Sequence, residues 1–207
     1  MIAAGLVLPV YADQRADTLL QKWDQQLSKG NMVSCRIRQR KQISLLRDPI
    51  QLEGRFYFMY PDCFRLELSG DENFSAYSDG ESICVVDHDL DEVQIYNQRN
   101  GSLPQNIDSL VHPLAGRSRE EILAANVIEY DQTKHEYVMT PKSAAAPYAV
   151  VYFRVDGLKR LVWARVHLAN GDWTETEFFR WRRHERVSRH FFRCHSRKDK
   201  TEATDSD

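Results

Sequence analysis

The densest run of groups able to ligate a metal or move a proton is Asp87-His88-Asp89-Leu90-Asp91-Glu92. Carboxylates and an imidazole in such proximity are the donor set of a metal site or of general acid–base work. The run lies between two apolar stretches, residues 83–86 and 93–96. There Asp and His serve as turn residues that tolerate unusual dihedrals and stay solvated, so a polar turn is the reading adopted. Cys194-His195 offers a nucleophile and a base, but neighbours along a strand point to opposite faces, which is wrong for proton transfer. Ser78-Asp79-Gly80 has no strand-to-helix elbow around it, and no glycine-rich phosphate loop occurs. The chain reads as a non-enzyme that needs no cofactor and no metal.

Arginines interleaved with aromatic rings, Phe178-Phe179-Arg180-Trp181-Arg182-Arg183 and Arg189-His190-Phe191-Phe192-Arg193, have the composition of a groove that stacks and neutralises a single nucleic-acid strand. A net charge of −2 over 207 residues, and an alternation that turns several of the rings inward, argue for a strand face instead; no nucleic-acid partner is expected. Cys35, Cys63, Cys84 and Cys194 are too widely spaced for a CxxC motif. In an oxidising compartment one or two disulfides can form among three pairings, which the sequence leaves open. Cys35 and Cys84, embedded in strand-like runs, read as small buried apolar residues.

These side chains are positioned by a recognisable string of elements. Residues 1–12, MIAAGLVLPVYA, are apolar and end on Val10-Tyr11-Ala12 before the polar Asp13-Gln14. That is the small-x-Ala pattern of a signal-peptidase site, here as a truncated signal peptide without a basic n-region. The run is shorter than the roughly 20 residues of a membrane span, and no Cys follows the cleavage point to carry a lipid anchor. Leu19, Leu20, Trp23 and Leu27 share a helical face, with Asp17 or Thr18 available as the cap and Gly30 as the stop. Val33, Cys35 and Ile37 then alternate with Arg36, Arg38 and Arg40, a strand with one dry side and one wet.

Between Gly54 and Asn97, short aromatic and apolar runs are separated by Tyr60-Pro61-Asp62, Ser69-Gly70-Asp71, Asp79-Gly80 and Asp87-His88-Asp89, the pattern of consecutive hairpins. Phe64, Leu66 and Leu68 share one face of their strand, Arg65 and Glu67 the other. Beyond Gly101 the spacing turns helical at Ile107, Leu110, Val111 and Leu114, and Ser118 with Glu121 marks a capping-box start for a helix over 119–125. Strands are expected at 127–130, 137–140, 149–155, 161–167, 174–180 and 189–192. The tally is about ten or eleven strands with helices grouped on one side of a curved antiparallel sheet, an α+β, mainly β class. A filled interior and a ligand cavity give the same periodicity in such a sheet.

The order of these pieces resembles the periplasmic outer-membrane lipoprotein carriers, the LolA-like family, from Asp17 to about Cys194. The matching segments are the opening helix and the strand ending at Gln39, Gly54-Arg55-Phe56-Tyr57-Phe58-Met59-Tyr60-Pro61-Asp62-Cys63-Phe64, and Tyr77-Ser78-Asp79-Gly80-Glu81-Ser82. Val85-Val86-Asp87-His88-Asp89-Leu90-Asp91-Glu92-Val93, the helical 107–114 stretch and Tyr137-Val138-Met139-Thr140-Pro141-Lys142 follow in register.

The resemblance implies an incomplete antiparallel β-barrel whose mouth is covered by helices acting as a lid; the length of the chain fits one domain, 13–195, and its acidic end, 196–207, reads as a disordered tail. The resemblance also implies a soluble, monomeric periplasmic carrier that takes lipoprotein acyl chains from an inner-membrane releasing complex to an outer-membrane acceptor. The alternative is an envelope sensor or protein-interaction module on the same scaffold. Carried over by position, Val33, Ile37, Phe56, Phe58, Phe64, Leu66 and Leu68 line the cavity and its rim, and Ile107, Leu110, Val111 and Leu114 form the lid. Where the carriers commonly place an Arg before the Pro of the third segment, this chain has Tyr60. Tyr60 and the nearby Arg65 are the candidate gating residues.

Overall fold

A computed structural model describes residues 14–27, 32–60, 62–97, 119–185 and 187–194. The expected signal peptide (1–12), the lid residues Ile107, Leu110, Val111 and Leu114, and the tail (196–207) lie outside them. Helix α1 (Gln14–Leu27) leads into β1 (Met32–Gln42), β2 (Ile50–Met59), β3 (Cys63–Gly70), β4 (Phe74–Asp79), β5 (Ser82–Asp87) and β6 (Glu92–Asn97). After α2 (Arg119–Ala125) come β7 (Asn126–Asp131), β8 (Glu136–Pro141), β9 (Val150–Val155), β10 (Leu161–His167), β11 (Trp173–His184) and a short 3₁₀ helix, Arg189–Phe192.

All eleven strands form one sheet in the order β6-β5-β4-β3-β2-β1-β11-β10-β9-β8-β7. Every neighbouring pair is antiparallel, so the chain is two meanders joined where the first strand pairs with the last. β6 and β7 are left as edges, and the barrel is open rather than closed.

One local device makes most of the turns. Asp79, Asp87, Asp131, Asp156 and Asn170 each accept the backbone N–H two residues on, at 2.8–3.1 Å, which fixes the chain reversal without help from the core. Gly54 serves a different purpose. A Cβ there would lie 1.8 Å from the Glu67 carbonyl oxygen, so β2 and β3 come together more closely than any side chain permits.

The apolar alternation of each strand feeds one continuous cluster on the face that carries α1, called here the inner face. It runs from Ile83 and Val85 through Leu66, Phe58, Ile37 and Phe178 to Phe153, Met139 and Ile128. Ala16, Leu19 and Leu20, spaced for one helical face, bury α1 against it. The Arg119 guanidinium pairs with Asp17, tying α2 to α1. The outer face is mostly polar, except where a second cluster of Met32, Met59, Cys63 and Phe192 lies beneath the 3₁₀ helix.

Four expectations need correction. Residues 189–192 form a 3₁₀ turn and not a strand: the Ser188 hydroxyl accepts the His190 N–H at 3.2 Å, and Phe191 and Phe192 pack edge to face. Cys84 is not a free apolar residue; it is bonded to Cys194, 110 residues away, with Cα atoms 5.8 Å apart. Asp17 and Thr18 do not cap α1, which begins at Gln14. β11 does not stop at Arg180: a bulge with Arg180 at φ 56° carries it on to His184.

Candidate functional site

The register of the first meander sets the inner wall in rows. Val33, Phe58, Phe64, Ser78 and Ile83 stand opposite one another in one row. Cys35, Phe56, Leu66, Ala76 and Val85 form the next, and Ile37, Gly54, Leu68 and Phe74 the third. The candidate cavity residues Val33, Ile37, Phe56, Phe58, Phe64, Leu66 and Leu68 are therefore brought to one face and one cluster. Ile37, Phe64 and Leu66 are fully buried, whereas Val33 and Phe56 are half-exposed members of the same wall. Phe56 and Phe58 stack with centroids 6.4 Å apart. Burial pushes the Cys35 thiol far above its ordinary range, as expected of a group held in hydrocarbon.

The two gating candidates part company. Tyr60 packs half-buried against the inner cluster. Arg65 points the other way, because it alternates with Phe64 and Leu66 along β3. On the outer face its guanidinium pairs with Glu67 at 2.5 Å, donates to the Phe191 carbonyl at 3.3 Å, and lies 4.7 and 5.1 Å from the ring centres of Phe191 and Tyr77. These contacts hold the C-terminal 3₁₀ segment against β3 and direct the Arg65 side chain away from the inner face. That segment also shelters Cys63, whose thiol is pushed up to about 11 by burial and by the neighbouring Asp62.

Further along β1 the inner row turns polar. Gln39 is buried, its Nε2 donating to the Thr176 hydroxyl at 3.1 Å, and its Oε1 has no partner among the described residues. Beside it the Lys41 ammonium is buried, 3.0 Å from Glu72 and 4.9 Å from the Phe74 ring centre. A buried acceptor left alone costs about 1–3 kcal/mol, so this end of the wall is suited to a water or a polar group of a bound molecule. The sequence did carry a signal here. Gln39 and Lys41 fall in the apolar phase set by Val33, Cys35 and Ile37.

The acidic run is taken up in turn hydrogen bonds. Asp87 accepts the N–H groups of Asp89 and Leu90. Asp89 takes the side-chain and backbone N–H groups of Asn73, which hold its carboxyl below the ordinary range. His88 is hydrogen-bonded to the Ser75 hydroxyl at 2.9 Å on the outer face; among the described residues no carboxylate bonds the other ring nitrogen to complete a relay. Among those residues there is also no group of three His, Cys, Asp or Glu placed to hold a metal. The described Arg-rich aromatics divide between faces: Phe178 and Trp181 pack inward, stacked at 6.3 Å, and Phe179 lies outward under Arg38.

An open antiparallel half-barrel with an apolar inner wall and a helix laid on that wall belongs to the class of folds that either fill their interior with side chains or keep room there for an apolar ligand. Residues 28–195 match the family of the outer membrane lipoprotein carrier protein LolA, and the chain belongs to that family. No curated protein sequence matches it.

Among solved structures, an uncharacterized conserved protein from Thermus thermophilus aligns over 89% of this chain and 96% of its own, at 9% identity and a TM-score of 0.52. A LolA superfamily protein from Nitrosomonas europaea covers 86% and 97% at 8% identity and a TM-score of 0.44. A putative outer membrane lipoprotein-sorting protein domain from Vibrio parahaemolyticus covers 86% and 97% at 12% identity and 0.42. At such identities the likeness concerns the fold, and it rests on the Thermus structure. No helix among the described residues is long and apolar enough to cross a membrane.

Proposed function

We propose that this chain is a periplasmic carrier and not an enzyme. It holds lipoprotein acyl chains on its inner wall and passes them, as a monomer, from an inner-membrane releasing complex to an outer-membrane acceptor. The observation supporting this is the apolar patch of β1–β3, in which Val33, Phe56, Phe58, Phe64, Leu66 and Leu68 occupy neighbouring register positions of one face. Each acyl CH₂ removed from water contributes about 0.8 kcal/mol, so chains bind such a wall tightly with no reactive group. Since Phe64 and Leu66 are closed to solvent, uptake requires the inner cluster around them to open, and Tyr60, half-buried against that cluster, is the candidate gate. Mass spectrometry of organic extracts of the purified protein, with displacement of an apolar dye, tests the reading. Bound lipid and a displaceable dye are expected; absence of both would end it.

A second reading, an envelope sensor or interaction module, is favoured by one feature of the outer face. Arg36 and Arg55 stand directly opposite each other, a like-charge pair that is unfavourable in isolation. Depletion in cells separates the two. Loss of a carrier leaves lipoproteins in the inner membrane, whereas loss of a sensor changes a stress response without mislocalising them.

A further inference from the structure

A cavity of about 500 Å³ opens between α1 and the strands β7–β9. Arg15, Lys22, His135 and Lys159 line it, and no Asp or Glu does. That is a marked local excess in a chain whose formal net charge is −2. The basic groups come from three segments, α1 and the turns after β7 and β9. Lys159 sits in a left-handed turn at φ 63°, and its carbonyl accepts the Trp23 indole N–H at 2.6 Å, which ties that turn to α1. The Arg15 guanidinium lies 4.9 Å from the Tyr130 ring centre, and the Tyr130 hydroxyl is hydrogen-bonded to His135 Nδ1 at 3.3 Å. The floor is apolar. Leu19, Tyr137 and Val155 line the same cavity, and all three belong to the inner cluster or pack against it.

A concave site with cations of one sign around a low-dielectric floor concentrates an anion, and does so more strongly than the same charges on an open surface. We propose that this cavity binds the headgroup of an anionic amphiphile, a carboxylate or phosphate, whose hydrocarbon chain leaves over Leu19 and Tyr137 onto the inner wall. The proposal rests on the carrier reading of that wall and names the class of cargo it favours. Two or three partly exposed ion pairs give a preference of about tenfold for the charged form over an uncharged analogue.

The test is displacement of the uncharged dye N-phenyl-1-naphthylamine from the full chain at pH 8 and low salt. The competitors are dodecanoate, dodecyl phosphate, methyl dodecanoate and inorganic phosphate. Dodecanoate or dodecyl phosphate should displace the dye at about one-tenth the concentration of the methyl ester, and the preference should shrink as salt screens it. Lys22→Gln with Lys159→Gln should reduce the ratio to about two, and Lys22→Arg with Lys159→Arg should restore it. Acid and ester displacing equally would overturn the headgroup site and leave the carrier standing. A dye that does not bind, or that nothing displaces, would remove the carrier and this site together. Inorganic phosphate abolishing the preference at submillimolar concentration would make the cavity a free-anion site, which also overturns the proposal.

Discussion

Replacing Gly54 by Ala should destabilise the protein far more than a single methyl group suggests. The new Cβ would lie 1.8 Å from the Glu67 carbonyl oxygen and 3.0 Å from a Leu68 methyl. A carbon and a carbonyl oxygen need roughly 3.2 Å, so β2 and β3 must separate by more than about 1 Å at a spacing that is normally about 4.8 Å. Overpacking of this kind costs about 1–3 kcal/mol, and the neighbouring ladder hydrogen bonds, at about 1 kcal/mol each, are stretched with it.

The sum is about 3–5 kcal/mol, a large part of the roughly 5–15 kcal/mol of a typical domain. For a chain of this size it corresponds to a fall in Tm of roughly 6–20 °C. Urea unfolding followed by tryptophan fluorescence, with m checked for constancy, measures it. The internal control is Gly157→Ala, where no atom lies within 4 Å of the added carbon and the change should stay within about 0.5 kcal/mol. A Gly54→Ala loss below about 1 kcal/mol, or one no larger than the control, would refute the close approach of β2 and β3.

Three further outcomes follow from the described contacts. Removing the disulfide as Cys84→Ser with Cys194→Ser releases a loop of 110 residues. Loop entropy sets about 4.8 kcal/mol for that length, and a measured loss between about 2 and 5 kcal/mol is expected in urea. Cys35 and Cys63 are buried and free, so a thiol reagent without reductant should find no fast-reacting group in the native protein and two on unfolding; four would deny the disulfide. Burial pushes the Asp79 carboxyl up, but the Ser82 and Glu81 N–H groups and Arg193 outweigh it and hold the group below its ordinary value. Its contribution to stability is then complete above about pH 4 and is lost as pH falls through the folded-state value, so Asp79→Asn should flatten the acid limb of a stability–pH curve.

Most of the wall was legible because period-2 alternation and Asx-type turns are local. Phe64, Leu66 and Leu68 could be assigned to one face from spacing alone, and the hairpins after Tyr60, Gly70, Asp79 and Asp87 carried their own turn chemistry. Alternation also placed Arg65 on the opposite face, and only its nearness in sequence to Tyr60 suggested a gating role. What escaped was set by distant parts of the chain. The Cys84–Cys194 bond depends on where the last residues cross the outer face. The 3₁₀ turn at Arg189–Phe192 imitates a strand because four residues rich in aromatic rings are too few to separate the periods. The basic cavity draws on α1 and on the turns after β7 and β9, segments that share no spacing in sequence.

The C-terminal segment gives the sheet an uneven stiffness. Over β3–β5 the wall is gripped on both sides, by the inner cluster and by Phe192, Arg65 and the Cys84–Cys194 bond. Over β7–β9, among the described residues, the outer surface carries side chains such as Arg154 above Trp163 and no second cluster, and β7 is an edge. A wall built this way does not flex evenly: when the interior must widen, the ungripped half moves. Amide hydrogen exchange should show it as slow protons in β3 and β4 and faster ones in β7 and β8. The widening would then fall beside α1 and leave the strapped half as a fixed template against which a ligand chain is measured.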